Sequence, residues 1–198
     1  NYPQSQYRPD TRLAIGDTYE GEGTGEAYVR ALDEFRDFLS LYPTHARAGY
    51  AQYKLGLIHF HQMRRAERDQ SETLNAIEEF RTFVSNYPQN HYLMPLANER
   101  LREARDRLSA HYFTVGHFYY RFKSYPGAIS RFRELLDNDP DYPRRDEVYF
   151  HLADALARIN RTAEAIPYFA RILEEFESSD YAEEANLRIA EFEENQER

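Results

Sequence analysis

Four stretches of the chain repeat one pattern: a small residue, an apolar residue, two variable positions and Phe, followed by apolar residues and an aromatic-Pro pair. They are Ala31-Leu32-x-x-Phe35 to Tyr42-Pro43, Ala76-Ile77-x-x-Phe80 to Tyr87-Pro88, Ala128-Ile129-x-x-Phe132 to Asp139-Pro140, and Ala165-Ile166-x-x-Phe169 to Phe176-Glu177. The third copy lacks the aromatic and the fourth lacks the proline. Alanine and phenylalanine four positions apart share one face of a helix. Several copies in register bind the chain to a stack of similar helical units, because one such unit cannot bury its apolar face alone.

A second apolar pattern precedes each copy, most clearly Tyr112-x-x-Val115-Gly116-x-x-Tyr119 and Tyr149-x-x-Leu152-Ala153-x-x-Leu156. Ile15-Gly16-x-x-Tyr19 and Leu55-Gly56-x-x-His59 are weaker versions. Together the two patterns match the tetratricopeptide signature. The expected fold is therefore all-α, a tetratricopeptide-repeat superhelical solenoid of antiparallel helix pairs with a C-terminal capping helix. The small residue lets paired helices approach, and Phe132 or Phe169 is expected to fill the gap against the next unit. The expected repeats are 4–43, 44–88, 89–140 with an extended first helix, and 141–178, with the capping helix at 179–198 and residues 1–3 closing a missing first repeat.

Prolines punctuate this plan. Pro3, Pro43, Pro88 and Pro140 follow helical stretches, and Ser124 before Tyr125-Pro126 reads as an N-cap with proline in the first turn. Pro167 instead falls a turn inside a helix, where it removes a hydrogen bond and favours a slight kink. From Leu93 through Ala97, Leu101, Ala104 and Leu108 to Tyr119 the apolar spacing is unbroken, which predicts one helix of about 30 residues and about 45 Å. The charged run Arg64 to Thr73 reads as a solvent loop. Ala182, Ala185, Ile189 and Phe192, with glutamates between, form the capping stripe.

Composition narrows the function. Among 198 residues, 25 Lys and Arg face 34 Asp and Glu, a net charge of −9, which opposes binding to nucleic acid. No apolar run is long enough to span a membrane, and Asn1 does not open a signal sequence. The absence of Cys excludes disulfides, thiolate metal sites and cysteine nucleophiles without fixing the compartment.

Catalytic and cofactor signals are weak. His59 and His61 stand two apart on a helix, hence on different faces, and do not make a chelating i, i+4 pair. Gly21, Gly23 and Gly25 precede no Lys-Ser/Thr and follow a helix, so Gly-Glu-Gly-Thr-Gly reads as a flexible loop. Asp137-Asn138-Asp139-Pro140-Asp141 lacks the glycine and distal glutamate of a calcium loop and reads as an inter-repeat turn. Glu78-Glu79 and Glu183-Glu184 imply no acid-base pocket. No catalytic, metal or cofactor residue is assigned, and an enzyme accessory domain would need a metal or nucleotide bound to the protein.

Two segments carry a more specific likeness: Arg68-Asp69-Gln70-x-x-Thr73-x-x-Ala76-Ile77-Glu78-Glu79-Phe80 with Tyr87-Pro88-x-x-x-Tyr92, and Arg107-Leu108-x-x-His111-Tyr112-x-x-Val115-x-x-Phe118-Tyr119-x-Arg121. On these the chain resembles the BamD family, also called YfiO, outer-membrane lipoproteins of the β-barrel assembly machinery. The resemblance implies a five-repeat, non-catalytic scaffold at the periplasmic face of the outer membrane, lipid-anchored through an N-terminal Cys. It implies docking to the POTRA domain of BamA, contact with other assembly-complex lipoproteins, and recognition of the C-terminal strand of unfolded outer-membrane proteins. The chain would then hold the later four repeats, without the first repeat and the anchor. Another periplasmic tetratricopeptide adaptor of the cell envelope is the alternative.

In such a pair the first helix lines the concave face. The candidate peptide contacts are Tyr50, Tyr53, Leu57, Phe60 and His61 in one unit and Phe113, His117, Tyr120 and Arg121 in another, since aromatic rings bury much area at little entropic cost. Core packing is the competing role for each. The Lys and Asn clamp of chaperone-tail adaptors is missing at the corresponding places. Arg131 aligns with a family arginine on the surface that meets BamA; its competing role is a solvated helix arginine in local ion pairs.

Overall fold

Short connections between amphipathic segments force neighbouring helices antiparallel, and that is how the chain is built. A computed structural model describes residues 8–196; Pro3 and the 1–3 segment lie outside the described residues. The helices are α1 Arg8–Glu22, α2 Gly25–Leu41, α3 Ala48–His61, α4 Ser71–Asn86, α5 Met94–Arg121, α6 Tyr125–Asn138, α7 Arg145–Ala157, α8 Thr162–Glu175 and α9 Ala182–Gln196. No strand occurs among the described residues, so the fold is all-α, a helical-repeat solenoid of packed pairs. The chain forms two compact units, Asn1–Leu108 and Ser109–Arg198. Helix α5 contributes residues to both; its 28 residues run about 42 Å.

One contact recurs inside the pairs. A Cβ added to Gly16 would stand 2.8 Å from the ring of Phe35, one on Gly56 2.7 Å from Phe80, and one on Gly116 2.7 Å from Phe132. All three rings are fully buried. The phenylalanine thus covers the glycine of its own pair rather than only the gap to the next one. Phe132 does both, stacking at 6.2 Å on His151 of α7. The fourth pair carries buried Ala153 and Phe169 at the matching positions.

In the first unit Leu13, Phe35, Phe38 and Leu55 form one core cluster, while Ala76, Phe80, Ala97 and Leu101 form a second. The second unit has its own, from Ala128 and Phe132 to Leu152, Phe169 and Ala185. Ile189 and Phe192 of α9 pack on that cluster, and the Phe192 ring lies 6.3 Å from Phe169.

Several connections are tighter than the sequence suggests. The glycine run is no flexible loop: Gly21 ends in α1 and Gly25 opens α2, leaving Gly23 at φ +66° and Thr24 as N-cap, its hydroxyl accepting from the Ala27 N–H at 3.2 Å. Ser124 occupies the N-cap of α6, but its hydroxyl makes no capping bond; its backbone N–H instead closes α5 by donating to Tyr119 O at 2.9 Å. Arg161 N–H does the same to Leu156 O after α7. Pro167 lies inside α8 and gives no N–H to the Ala163 carbonyl.

The charged 62–70 connection is anchored too. Gln70 is buried; its amide donates to the carbonyls of Arg65 and Arg68 at 2.8 and 2.9 Å, and its Oε1 accepts from Thr73 at 2.8 Å.

The glycine–ring contact predicts that Gly116→Val overpacks the second unit. Such a change costs about 1–3 kcal/mol, which lowers Tm by roughly 2–12 °C for a chain of this size. Adding Phe132→Leu should recover part of the loss. A thermal melt of Gly116→Val at the wild-type temperature would contradict the contact.

Candidate functional site

The exposed side of the first helices is polar at its seams and aromatic between them. In the first unit Tyr50 is half-buried and its hydroxyl donates to Asp17 of α1 at 2.6 Å, joining consecutive first helices. Burial, then the Asp17 bond, pushes the Tyr50 phenol up to about 12, so it remains a donor. Lys54 bonds Glu20 and lies 3.5 Å from Asp17. Burial draws its ammonium down, but Glu20, Tyr50 and Asp17 outweigh that and hold it above the ordinary lysine range.

The other candidates in this unit divide. Tyr53 is 8% exposed, with its ring 5.8 Å from Phe80 and 5.9 Å from Phe83, and belongs to the core. Leu57 and Phe60 are half-buried against the same core, and the Arg100 guanidinium sits 5.1 Å above the Phe60 ring. His61 is exposed, while His59 turns inward and meets Glu72 at 2.6 Å.

In the second unit Phe113, His117 and Tyr120 form a ladder along α5. Phe113 and His117 stack at 5.8 Å, and His117 and Tyr120 at 6.3 Å. Arg121 is exposed at the end of the helix. The Arg144 guanidinium lies 5.6 Å over Phe113. His151 of α7 closes the ladder, 5.2 Å from His117 and 5.0 Å from Tyr120, with its Nδ1 buried and unpaired. Burial, then the neighbouring His117, pulls the His151 imidazole down to about 4, against an upward pull from Asp154. It is neutral at pH 7.

Asp154 is the centre that sequence reasoning missed. It is 3% exposed, and it accepts from the Tyr120 hydroxyl, from Arg158 Nε, and from Arg188 Nη2 at 3.1 Å. A buried carboxylate persists only with such partners. It ties α5, α7 and α9 together, and burial followed by the Asp154 bond pushes the Tyr120 phenol up to about 12. The signal was present, since Leu152-Ala153-Asp154-Ala155-Leu156 sets one acid in an apolar run. Gln52 escaped notice for lack of any such contrast; it is buried and donates to Glu79 O at 3.1 Å, joining α3 to α4.

Arg131 is half-exposed on α6 and bonds Glu134 at 2.5 Å. Phe132 beside it is buried and Arg133 reaches Glu164 at 2.9 Å. Among the described residues no group of three metal-ligating side chains is gathered, and no helix is long and apolar enough to cross a membrane.

The family described as YfiO, outer membrane lipoprotein, matches residues 1–165. The chain belongs to the YfiO family. Curated relatives titled outer membrane protein assembly factor BamD are 28% identical over 162 residues in Caulobacter vibrioides, 25% over 141 in Rickettsia prowazekii and 29% over 150 in Vibrio cholerae. These alignments cover 82%, 71% and 71% of this chain but only 53%, 56% and 61% of the relatives, so the chain spans little more than half their length. A crystal structure of MamA protein overlaps 90% of the chain and 96% of its own, at 19% identity and a TM-score of 0.33, too low to bear on the fold.

In this YfiO-family chain the neutral His151 makes stability depend on pH. An unfolded histidine takes up a proton near 6.5, whereas the folded one refuses it until about 4. Stability is therefore lost as pH falls from 6.5 toward 4. His151→Phe should flatten the fall of Tm over that range; parallel curves for variant and wild type would contradict the assignment.

Proposed function

We propose that the chain is a non-catalytic scaffold of outer-membrane protein assembly, docking a BamA-like POTRA domain and binding the C-terminal strands of unfolded outer-membrane proteins. The observation that carries this reading is the match of residues 1–165 to the YfiO family, together with the likeness to assembly factors in Caulobacter vibrioides and Rickettsia prowazekii. The geometry suits it. Each unit offers its own half-buried rings, Tyr50 and Phe60 in the first and Phe113 and His117 in the second, on backbones held by hydroxyl–carboxylate bonds, which lowers the ordering cost of binding an extended strand there. Leu57, His61, Tyr120 and Arg121 flank them; Tyr53 serves from behind as core.

Arg131 is the docking residue in this reading. Its ion pair with Glu134 keeps the guanidinium oriented at a half-exposed position, from which it can take up a carboxylate of the POTRA domain. The scaffold would work at the periplasmic face of the outer membrane, lipid-anchored, beside other lipoproteins of the assembly complex.

A binding titration against the POTRA-bearing region of BamA from the same organism, at two salt concentrations, tests this. The wild-type chain should bind, more weakly at high salt, and Arg131→Glu should lose about tenfold or more in affinity. Absence of wild-type binding would overturn the docking reading and favour a different envelope adaptor.

A further inference from the structure

A second arginine cluster in the Ser109–Arg198 unit has no role in the reading above. Between α6, α7 and α8 lies a pocket of about 180 Å³ lined by Arg133, Asp137, Arg145, Tyr149, Tyr168 and Arg171. Two of its arginines have carboxylate partners: Arg133 with Glu164 at 2.9 Å, and Arg145 with Glu175 at 3.3 Å. Arg171 has none within ion-pair distance among the described residues. Its guanidinium instead lies 5.7 Å over the Tyr149 ring and 5.9 Å over the Tyr168 ring. A guanidinium drawn to two rings and without a carboxylate partner keeps its N–H groups for an incoming carboxylate.

From this we infer that the pocket receives a carboxylate side chain, Asp or Glu, of a docked protein, with Arg171 as the receiving cation. This rests on the reading that the chain docks a partner protein. Size argues for a side-chain tip, because sites that bury a whole small molecule run from about 300 to 1,000 Å³. Charge argues for a monovalent group. Glu164 also holds Arg161 at 2.6 Å, so Arg133, Arg145, Arg161 and Arg171 stand against Glu164, Glu175 and Asp137; one positive charge is left, which matches a single carboxylate and not a phosphate dianion. The net charge of −9 disfavours a polyanion for the same reason. Arg133 also borders the neighbouring depression, together with Ser130, Arg161 and Glu134, the ion-pair partner of Arg131, and so joins the pocket to the proposed docking surface.

The test uses the same POTRA-bearing region of BamA as probe. Arg171→Met keeps the aliphatic stem against Tyr149 and Tyr168 and removes the charge. The expected result is an affinity lower by about tenfold or more, a shallower dependence of binding on salt, an unchanged thermal melt, and partial recovery in Arg171→Lys. Arg81→Met, an exposed change on α4, should bind as the wild type does. If Arg171→Met binds like the wild type while Arg131→Glu does not, the pocket inference is overturned and the docking reading stands. If the wild-type chain does not bind the probe, the docking reading falls and the inference falls with it.

Discussion

The contact between a phenylalanine ring and a helical glycine governs how the first three pairs close. Phe35 on Gly16, Phe80 on Gly56 and Phe132 on Gly116 put a buried ring against bare backbone, at distances no Cβ would permit. The contact is indifferent to what connects the helices. It survives the Gly23-Thr24 turn, the long 62–70 connection and the 122–124 turn alike. That is why the repeats vary in length along the sequence while the cores keep one plan: the constraint sits in two residues per pair, and loop length costs only slowly growing entropy.

With the pairs closed in this way, the first helices are left to be joined by polar groups. Tyr50 reaches back to Asp17 and Tyr120 reaches forward to Asp154, so each unit has a phenol spanning two consecutive first helices. In both cases burial keeps the phenol protonated and donating. The rings are thereby held at fixed places with part of their faces uncovered. A rigid aromatic face binds an extended segment at lower entropic cost than a mobile one.

Much of this was legible in the chain. The four Ala-x-x-x-Phe copies and the preceding small residues announced helix pairs, and the unbroken spacing from Leu93 to Tyr119 announced α5. What escaped was decided by tertiary contacts that periodicity does not encode. Tyr53 and Tyr50 are three positions apart on one helix, yet one is core and the other half-exposed: the Phe80 and Phe83 rings close over Tyr53, whereas Tyr50 turns its hydroxyl to Asp17. Gln70 looks like one more polar residue in a charged loop until its amide is seen to gather the carbonyls of Arg65 and Arg68. Ser124 has the right residue type for a cap and does not use it, since its backbone already closes the preceding helix. The likeness to YfiO rested on residues of the 68–92 and 107–121 segments, both inside the matched 1–165 range.

In the proposed docking the Ser109–Arg198 unit meets the partner through α6 and α8. Hydrogen exchange read by mass spectrometry, on the chain alone and with the POTRA-bearing region of BamA, tests it most directly. The account predicts slowed exchange in α6 and α8 and none in α1 to α4; protection confined to α1 to α4 would contradict it.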